Sequence, residues 1–338
     1  MEAGSLTTAS DGRLGIGRPS RSRLQDQILR WGLTGLAGLI LALIAYFFIR
    51  LAGEGWPAFQ KFGVFGFTFT DNWDVSRGVF GALPLLVGTI VTSVIALAIG
   101  VPVAVAAALF VSELCPRRLR APLTVMIELL AAVPSVVYGL WGVFVLIPRL
   151  HGAEQFVADK LSFLPFVGGH VPGPNYFIAG LILAIMIVPI VSAITREVVA
   201  TVPPDHKEAA LALGATRWEM IRTAVLPYSR AGITGAALLG LGRAIGETIA
   251  VTLVIGNAPT IGKQIFDQGY TLAAVIANEF GEAANNQTHR AALIAAGLVL
   301  FVLTLLVNAV ARWLVHRAER GKRAASISAL GPAGAGAA

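Results

Sequence analysis

The sequence predicts an all-α, polytopic membrane protein with six transmembrane helices. Three observations predict it: a mean hydropathy of +0.74, a charged fraction of only 13% in 338 residues, and six long apolar segments. A soluble domain carries about 25% charged residues, and about 20 apolar residues suffice to cross the hydrocarbon core. Because Cys115 is the only cysteine and the histidines are scattered, we expect no disulfide framework, no metal site and no cofactor.

Each predicted span is an apolar run with few charges. The third contains only Glu128, the fifth contains Arg243 and Glu247, and the others contain none. The first is longer than the apolar part of a signal peptide, about 7–15 residues, so we expect it to be retained. A further apolar patch, 272–277, is too short to span and is expected in a loop or at the membrane interface. In chain order the six spans cover residues 31–49, 79–112, 121–147, 176–195, 231–256 and 291–311.

The distribution of Lys and Arg predicts the orientation. These residues accumulate in cytoplasmic loops, and alternate segments of this chain hold eighteen and seven of them, which predicts that both termini are cytoplasmic. Topology thus explains the net charge of +7 without a nucleic-acid partner. The richer side has Arg13, Arg18, Arg21, Arg23, Arg30, Arg117, Arg118, Arg120, Arg196, Lys207, Arg217, Arg222, Arg230, Arg312, Arg317, Arg320, Lys322 and Arg323; the poorer side has Arg50, Lys61, Arg77, Arg149, Lys160, Lys263 and Arg290.

Composition also predicts the domain boundaries. Residues 1–27 and 318–338 are rich in small and polar residues without apolar periodicity, so we expect both to be disordered. The membrane domain then covers residues 28–317 and includes one long internal loop, 203–227.

That internal loop is predicted to fold as two short helices. The first covers 205–213 and is closed by Gly214, which tolerates a left-handed cap conformation. Thr216 and Glu219 fit a capping box that starts a second helix, expected to end before Pro227. A DNA-reading helix-turn-helix is excluded, because two membrane spans clamp the unit. A plain connection and a docking knob for a cytoplasmic partner both remain open.

Three stretches carry a resemblance to a known family. The internal loop resembles the EAA loop of type I ABC importer permeases, although Ala224 stands where isoleucine is usual. Residues 127–139 and 241–248 are similar to the third-span and fifth-span motifs of phosphate-importer permeases, and Trp73-Asp74 also fits. The resemblance covers nearly the whole chain outside the two ends. The loop residues that carry it are Glu208, Ala209, Ala210, Gly214, Ala224, Val225, Leu226 and Pro227.

The resemblance implies a MetI-like fold and a set of partners. It implies a bacterial inner-membrane permease that transports phosphate with a PstA-like sister permease, an ABC ATPase dimer and an extracytoplasmic PstS-like binding protein. The surface that couples to the ATPase would comprise Glu208, Ala209, Ala210, Gly214, Leu226 and Pro227. We find no P-loop in the chain, since Gly262-Lys263 has the wrong spacing and no following Ser or Thr. An ion-coupled secondary anion transporter, or a permease for sulfate or molybdate, remains an alternative.

The charges inside the predicted spans are candidates for the substrate pathway. Arg243 lies twelve residues into the fifth span, about 18 Å deep, where an ionised group costs at least ~2.5–3.5 kcal/mol. Glu247 follows at i+4 and would share its helix face. The two could simply neutralise each other. Alternatively, Arg243 lines an anion pathway, because a guanidinium matches phosphate oxygens, and Glu247 and Glu128 hold it when the pathway is empty.

Overall fold

The chain is almost entirely helical, with one short hairpin. The computed structural model describes the backbone of residues 20–329 and the side chains of residues 25–313. Its elements are α1 (Ser20–Phe62), α2 (Val64–Phe69), β1 (Trp73–Asp74), β2 (Val79–Phe80), α3 (Leu83–Leu109), α4 (Arg117–Ala132), α5 (Ser135–Trp141), α6 (Ile147–Lys160), α7 (Tyr176–Ala200), α8 (Pro204–Ala212), α9 (Arg217–Met220), α10 (Leu226–Gly246), α11 (Ile249–Val254), α12 (Leu272–Glu279) and α13 (Gln287–Ala329). Three π-helical turns (Phe110–Leu114, Gly142–Leu146 and Ile221–Val225) and one 3₁₀ turn (Glu282–Asn285) join some of them.

The number of continuous spans differs from the sequence expectation. Within the described residues, five helices are long and apolar enough to cross a membrane: Gln25–Phe62, Leu83–Leu114, Ser135–Lys160, Tyr176–Ala200 and Gln287–Trp313. The fifth predicted span is instead broken into α10 and α11. The third is broken after α4, and its continuous part starts at Ser135 and runs on to Lys160.

Both expected domain boundaries move outward. The helix of the first span begins at Ser20 rather than after residue 27, and that of the last continues to Ala329 rather than stopping near 317. Once a helix has formed, each added residue contributes one more hydrogen bond, so polar flanks can extend it. The expected disorder of 1–19 and 330–338 lies outside the described residues.

The chain divides into two units, residues 1–50 and 51–338. In the first unit, every described side chain is exposed. The second unit contains the packed core, in which α3 and α7 are central neighbours and α10 packs on α7. Buried alanines on α3, including Ala96 and Ala104, let the helices approach closely.

One end of the second unit is closed by the hairpin and by α12. Trp73 of β1 donates from Nε1 to Glu279 Oε2 at 3.0 Å, and His289 Nε2 lies 2.9 Å from the same oxygen. The patch 272–277 is not a loop, because it forms most of α12 and its first residues, from Leu272 to Val275, are buried. The Leu272 N–H at its start donates to Thr89 Oγ1 of α3 at 3.0 Å, so this short helix is tied to the neighbouring helix.

Candidate functional site

The third-span motif lies across a helix break. α4 ends at Ala132, Val133 is extended with ψ 127°, and α5 begins after Pro134. Proline has no backbone N–H, and its ring disfavours helical geometry at the preceding residue. The Tyr138 hydroxyl donates to the Leu130 carbonyl oxygen at 2.8 Å, which also accepts from the Val133 N–H at 3.4 Å. A side chain of the motif therefore bridges the break.

The fifth-span motif also lies across a break. α10 ends at Gly246, and Glu247 is extended, with φ −69° and ψ 133°. Glu247 Oε1 accepts a hydrogen bond from the Ala250 N–H at 3.4 Å, so this carboxylate lies at the start of α11. The expectation that Arg243 and Glu247 share one helix face is wrong, because it presumed an unbroken helix.

The two broken motifs pack against each other. A Cβ on Gly139 would lie 2.7 Å from Leu253 Cδ1 and 3.0 Å from Ala250 Cα, so only glycine fits there without a shift. This glycine belongs to α5, and both of the atoms that it approaches belong to α11. The third and fifth spans therefore meet beside their breaks.

Arg243 lies on an exposed face of α10. Among the side chains of residues 25–313, its guanidinium forms no ion pair. A Cβ at Gly242 or Gly246 would meet open space, so the surface beside Arg243 is uncovered in this single chain. Lipid alone could not solvate this charge without a cost of at least ~2.5–3.5 kcal/mol. Arg243 therefore requires water, an anion or another chain.

Glu128 is paired with Arg196, not with Arg243. Arg196 Nη2 lies 2.9 Å from Glu128 Oε1, and its Nη1 donates to Thr124 Oγ1 at 2.7 Å. The sequence placed Arg196 in a loop, but α7 continues to Ala200 and carries this side chain to α4. The expectation that Glu128 helps to hold Arg243 is not met in this structure.

The internal loop has the two-helix form that its sequence predicts. Gly214 has a φ of +87°, and its N–H donates to the Leu211 carbonyl while the Ala215 N–H donates to that of Ala210, as in a Schellman motif. The capping box is present, and hydrogen bonds from the backbone and hydroxyl of Thr216 lower the pKa of Glu219 below its ordinary value.

The second helix of the loop does not end before Pro227. The π-helical turn Ile221–Val225 joins α9 to α10, and Pro227 sits in the first turn of α10. Because proline has no backbone N–H, the helix lacks one hydrogen bond at this junction. The loop is thereby continuous with the span that carries Arg243.

The loop is anchored on one side and open on the other. Met220, Ile221 and Val225 are buried against Leu109 and the end of α7. An ion pair of 2.6 Å joins Lys207 Nζ to Glu113 Oε1 in the π-helical turn after α3.

The expected coupling residues are divided between the two sides of the loop. Ala210 and Leu226 are partly buried against the same apolar cluster, which includes Leu109, Ile221 and Val225. Four others face outward: Glu208, Ala209, Gly214 and Pro227.

Two apolar side chains of the loop were missed by the sequence reasoning. Leu213 is 90% exposed and Trp218 is 62% exposed. Large apolar residues inside a polar loop were the available signal. Their position beside Gly214 makes them candidates for contact with a partner.

A profile of the family described as "Binding-protein-dependent transport system inner membrane component" matches residues 100–320. The fold agrees with solved transporters. A bacterial ABC transporter for import of the acidic polysaccharide alginate matches with a TM-score of 0.54 at 18% identity, over 87% of this chain and 99% of that chain. The same transporter in complex with a periplasmic protein matches with a TM-score of 0.54 at 19% identity, over 87% and 98%. Together these observations define the class, a multi-pass permease component of a binding-protein-dependent transport system.

Relatives with similar sequences identify the family of permeases within this class. The chain is 43% identical over 304 residues to the phosphate transport system permease protein PstC of Mesorhizobium japonicum, covering 88% of this chain and 92% of that protein. It is 41% identical over 309 residues to PstC of Xylella fastidiosa, covering 90% and 94%, and 42% identical over 302 residues to PstC 2 of Mycobacterium tuberculosis, covering 87% and 92%. The chain therefore belongs to the PstC family of transport-system permeases.

Proposed function

We propose that this chain is the phosphate permease subunit of an ABC importer and forms half of the translocation pathway. The other half comes from a second homologous, PstA-like permease. An ABC ATPase dimer supplies the energy, and this chain acts as a transport subunit without enzymatic activity, since its sequence offers no P-loop. A PstS-like binding protein delivers phosphate from outside. The names of the PstC relatives support this substrate, and the description of the matching family supports a binding protein.

In this proposal the chain lies in a bacterial inner membrane with both termini in the cytoplasm. The eighteen-to-seven division of Lys and Arg supports that orientation. It places α8 and α9 at the cytoplasmic end, where an ATPase can reach them, and the hairpin with α12 at the outer end.

Arg243 is the observation that carries the proposal. It is exposed beside two helix breaks and has no carboxylate partner among residues 25–313. A guanidinium stays charged in any site and presents planar donors that match phosphate oxygens. Glu247 and Glu128 stand near the pathway but have other partners, Ala250 and Arg196. Arg243 is therefore free to meet a passing anion, and its affinity stays modest because the ion must also leave.

The internal loop transmits the motion of the ATPase in this proposal. When the two ATPase subunits close on ATP, they push the exposed face of the internal loop. That face comprises Glu208, Ala209, Leu213 and Gly214. The inward residues Ala210 and Leu226, with Pro227 at the start of α10, pass the displacement to the fifth span.

Uptake by the reconstituted complex tests the proposal. Vesicles that contain all subunits and ATP should import labelled phosphate, and Arg243→Gln should abolish import while assembly, measured by size-exclusion chromatography, stays normal. Arg118→Gln, which removes an exposed arginine from α4, is the matched control and should import normally. Normal import by Arg243→Gln would refute the pathway role. Import of sulfate or molybdate in place of phosphate would refute the substrate.

A further inference from the structure

The Arg196 guanidinium binds two side chains on one face of α4. Its Nη1 donates to Thr124 Oγ1 at 2.7 Å, and its Nη2 lies 2.9 Å from Glu128 Oε1. Thr124 and Glu128 are four residues apart on α4 and so share one face of that helix. The pair is asymmetric, since the Arg196 side chain is 15% exposed and that of Glu128 is 56% exposed.

This interaction adds to two other hydrogen bonds of α4, in which Arg120 Nη2 donates to the Ser112 carbonyl oxygen at 2.6 Å and the Leu130 carbonyl oxygen accepts from Tyr138. None of the side chains of α4 is buried. Yet α4 leads into the break at Val133, and its Leu130 carbonyl accepts the hydrogen bond from Tyr138. Recorded contacts therefore link Arg196, through α4, to the break in the third span.

Glu128 also presents an electrostatic problem for an anion pathway. Glu128 lies on α4, the part of the third predicted span that precedes the break, and its exposed carboxylate faces water or another chain, because lipid would not accept it. At an effective dielectric constant of about 20, a bare carboxylate about 6 Å from a passing monoanion would lower its occupancy roughly a hundredfold. Arg196 cancels that charge at a distance of 2.9 Å.

We propose that Arg196 is a positioning residue which holds Glu128 against α7 and keeps its charge from repelling the transported anion. This inference rests on the proposed function, in which an anion passes along α4 and α10. In this arrangement the Glu128 carboxylate would repel the transported anion, and the guanidinium of Arg196 neutralises its charge. The proposal therefore assigns unequal effects to the loss of each partner. Glu128→Gln leaves an amide oxygen that can still accept from Nη2, whereas Arg196→Gln leaves an unpaired charge.

Four variants of the full complex and one control variant, compared with the wild type, separate this role from simple structural support. We expect Arg196→Gln to lower the initial rate of phosphate uptake about tenfold or more, and Glu128→Gln to change it less than about threefold. The double variant Arg196→Gln with Glu128→Gln should recover to the level of Glu128→Gln alone. Arg196→Lys, which keeps the charge, should retain most of the uptake. Arg118→Gln on the same helix is the control and should behave as the wild type.

The double variant decides the question. Rescue supports charge cancellation, because a purely structural tie would be lost equally in the single and the double variants. A double variant as slow as Arg196→Gln would overturn the proposal, and so would a Glu128→Gln variant that is itself as slow. If the wild-type complex moved sulfate rather than phosphate, the proposed substrate would be wrong and the same comparison would be made with sulfate. If it moved no anion, the proposal would fall together with the function.

Discussion

Replacing Gly214 with valine should uncouple ATP hydrolysis from transport. Gly214 has a φ of +87° and lies at the turn between α8 and α9. Its N–H donates to the Leu211 carbonyl oxygen at 3.0 Å, and the Ala215 N–H donates to that of Ala210 at 3.2 Å. Both hydrogen bonds need the left-handed conformation, so valine acts on the geometry that presents α8 to the ATPase.

The magnitude follows from the backbone alone. A Cβ at residue 214 would meet open space, so no side-chain clash contributes. A non-glycine residue in a sparsely populated backbone region costs about 1–3 kcal/mol. Taking about 2 kcal/mol for a β-branched residue, the ratio of the native turn to open alternatives falls roughly 30-fold. Asparagine tolerates the left-handed region, which makes Gly214→Asn the matched control.

The assay compares ATP hydrolysed with phosphate imported in vesicles that contain the whole complex. We expect Gly214→Val to reach the membrane in normal amount but to import about tenfold less phosphate per ATP or to lose hydrolysis stimulated by the binding protein. Gly214→Asn should stay close to the wild type. Unchanged coupling in Gly214→Val would refute the reasoning. Equal damage by asparagine would also refute it, because the defect would then not arise from backbone conformation.

Three further outcomes are expected. Arg243→Lys should keep part of the uptake that Arg243→Gln loses, since lysine keeps the charge but not the planar fork; uptake equal to that of Gln would contradict a role for the charge. Leu213→Asp should lower co-purification of the ATPase by about tenfold or more, because this apolar side chain is 90% exposed on the loop; unchanged recovery would remove Leu213 from the docking surface. The pKa of Glu219 is lowered by its hydrogen bonds from Thr216, so the stabilisation from this cap is present above the carboxyl's unfolded pKa and is lost as pH falls through the lowered, folded value. The protection factor of the Glu219 amide, which compares its exchange with the unstructured rate at the same pH, should therefore fall in that acidic range, and Thr216→Ala should lower it already at neutral pH; identical pH profiles would contradict this.

Local patterns predicted much of the fold. Apolar runs located the membrane segments, because lipid selects against charge over about 20 residues. Gly214, Thr216 and Glu219 predicted the turn and the cap of the loop, since both depend on residues within a few positions of each other. The resemblance of the loop and span motifs predicted the family that the PstC relatives show.

Contacts between distant residues were beyond prediction. Arg196 and Glu128 are 68 positions apart, and Lys207 and Glu113 are 94 apart, so neither ion pair has a spacing signature. The break at Glu247 misled the sequence reasoning for another reason. Predicting a shared face from periodicity assumes a continuous helix. Glu247 instead adopts an extended conformation, and no proline nearby in the sequence signals this break.

Phosphate uptake with and without the ATPase tests the central claim most directly. Vesicles that contain this chain and its sister permease alone should import no phosphate down a concentration gradient or with an imposed proton or sodium gradient. Adding the ATPase, ATP and the loaded binding protein should start import. Uptake by the permeases alone would contradict the account, because the pathway would then need no ATP-driven partner.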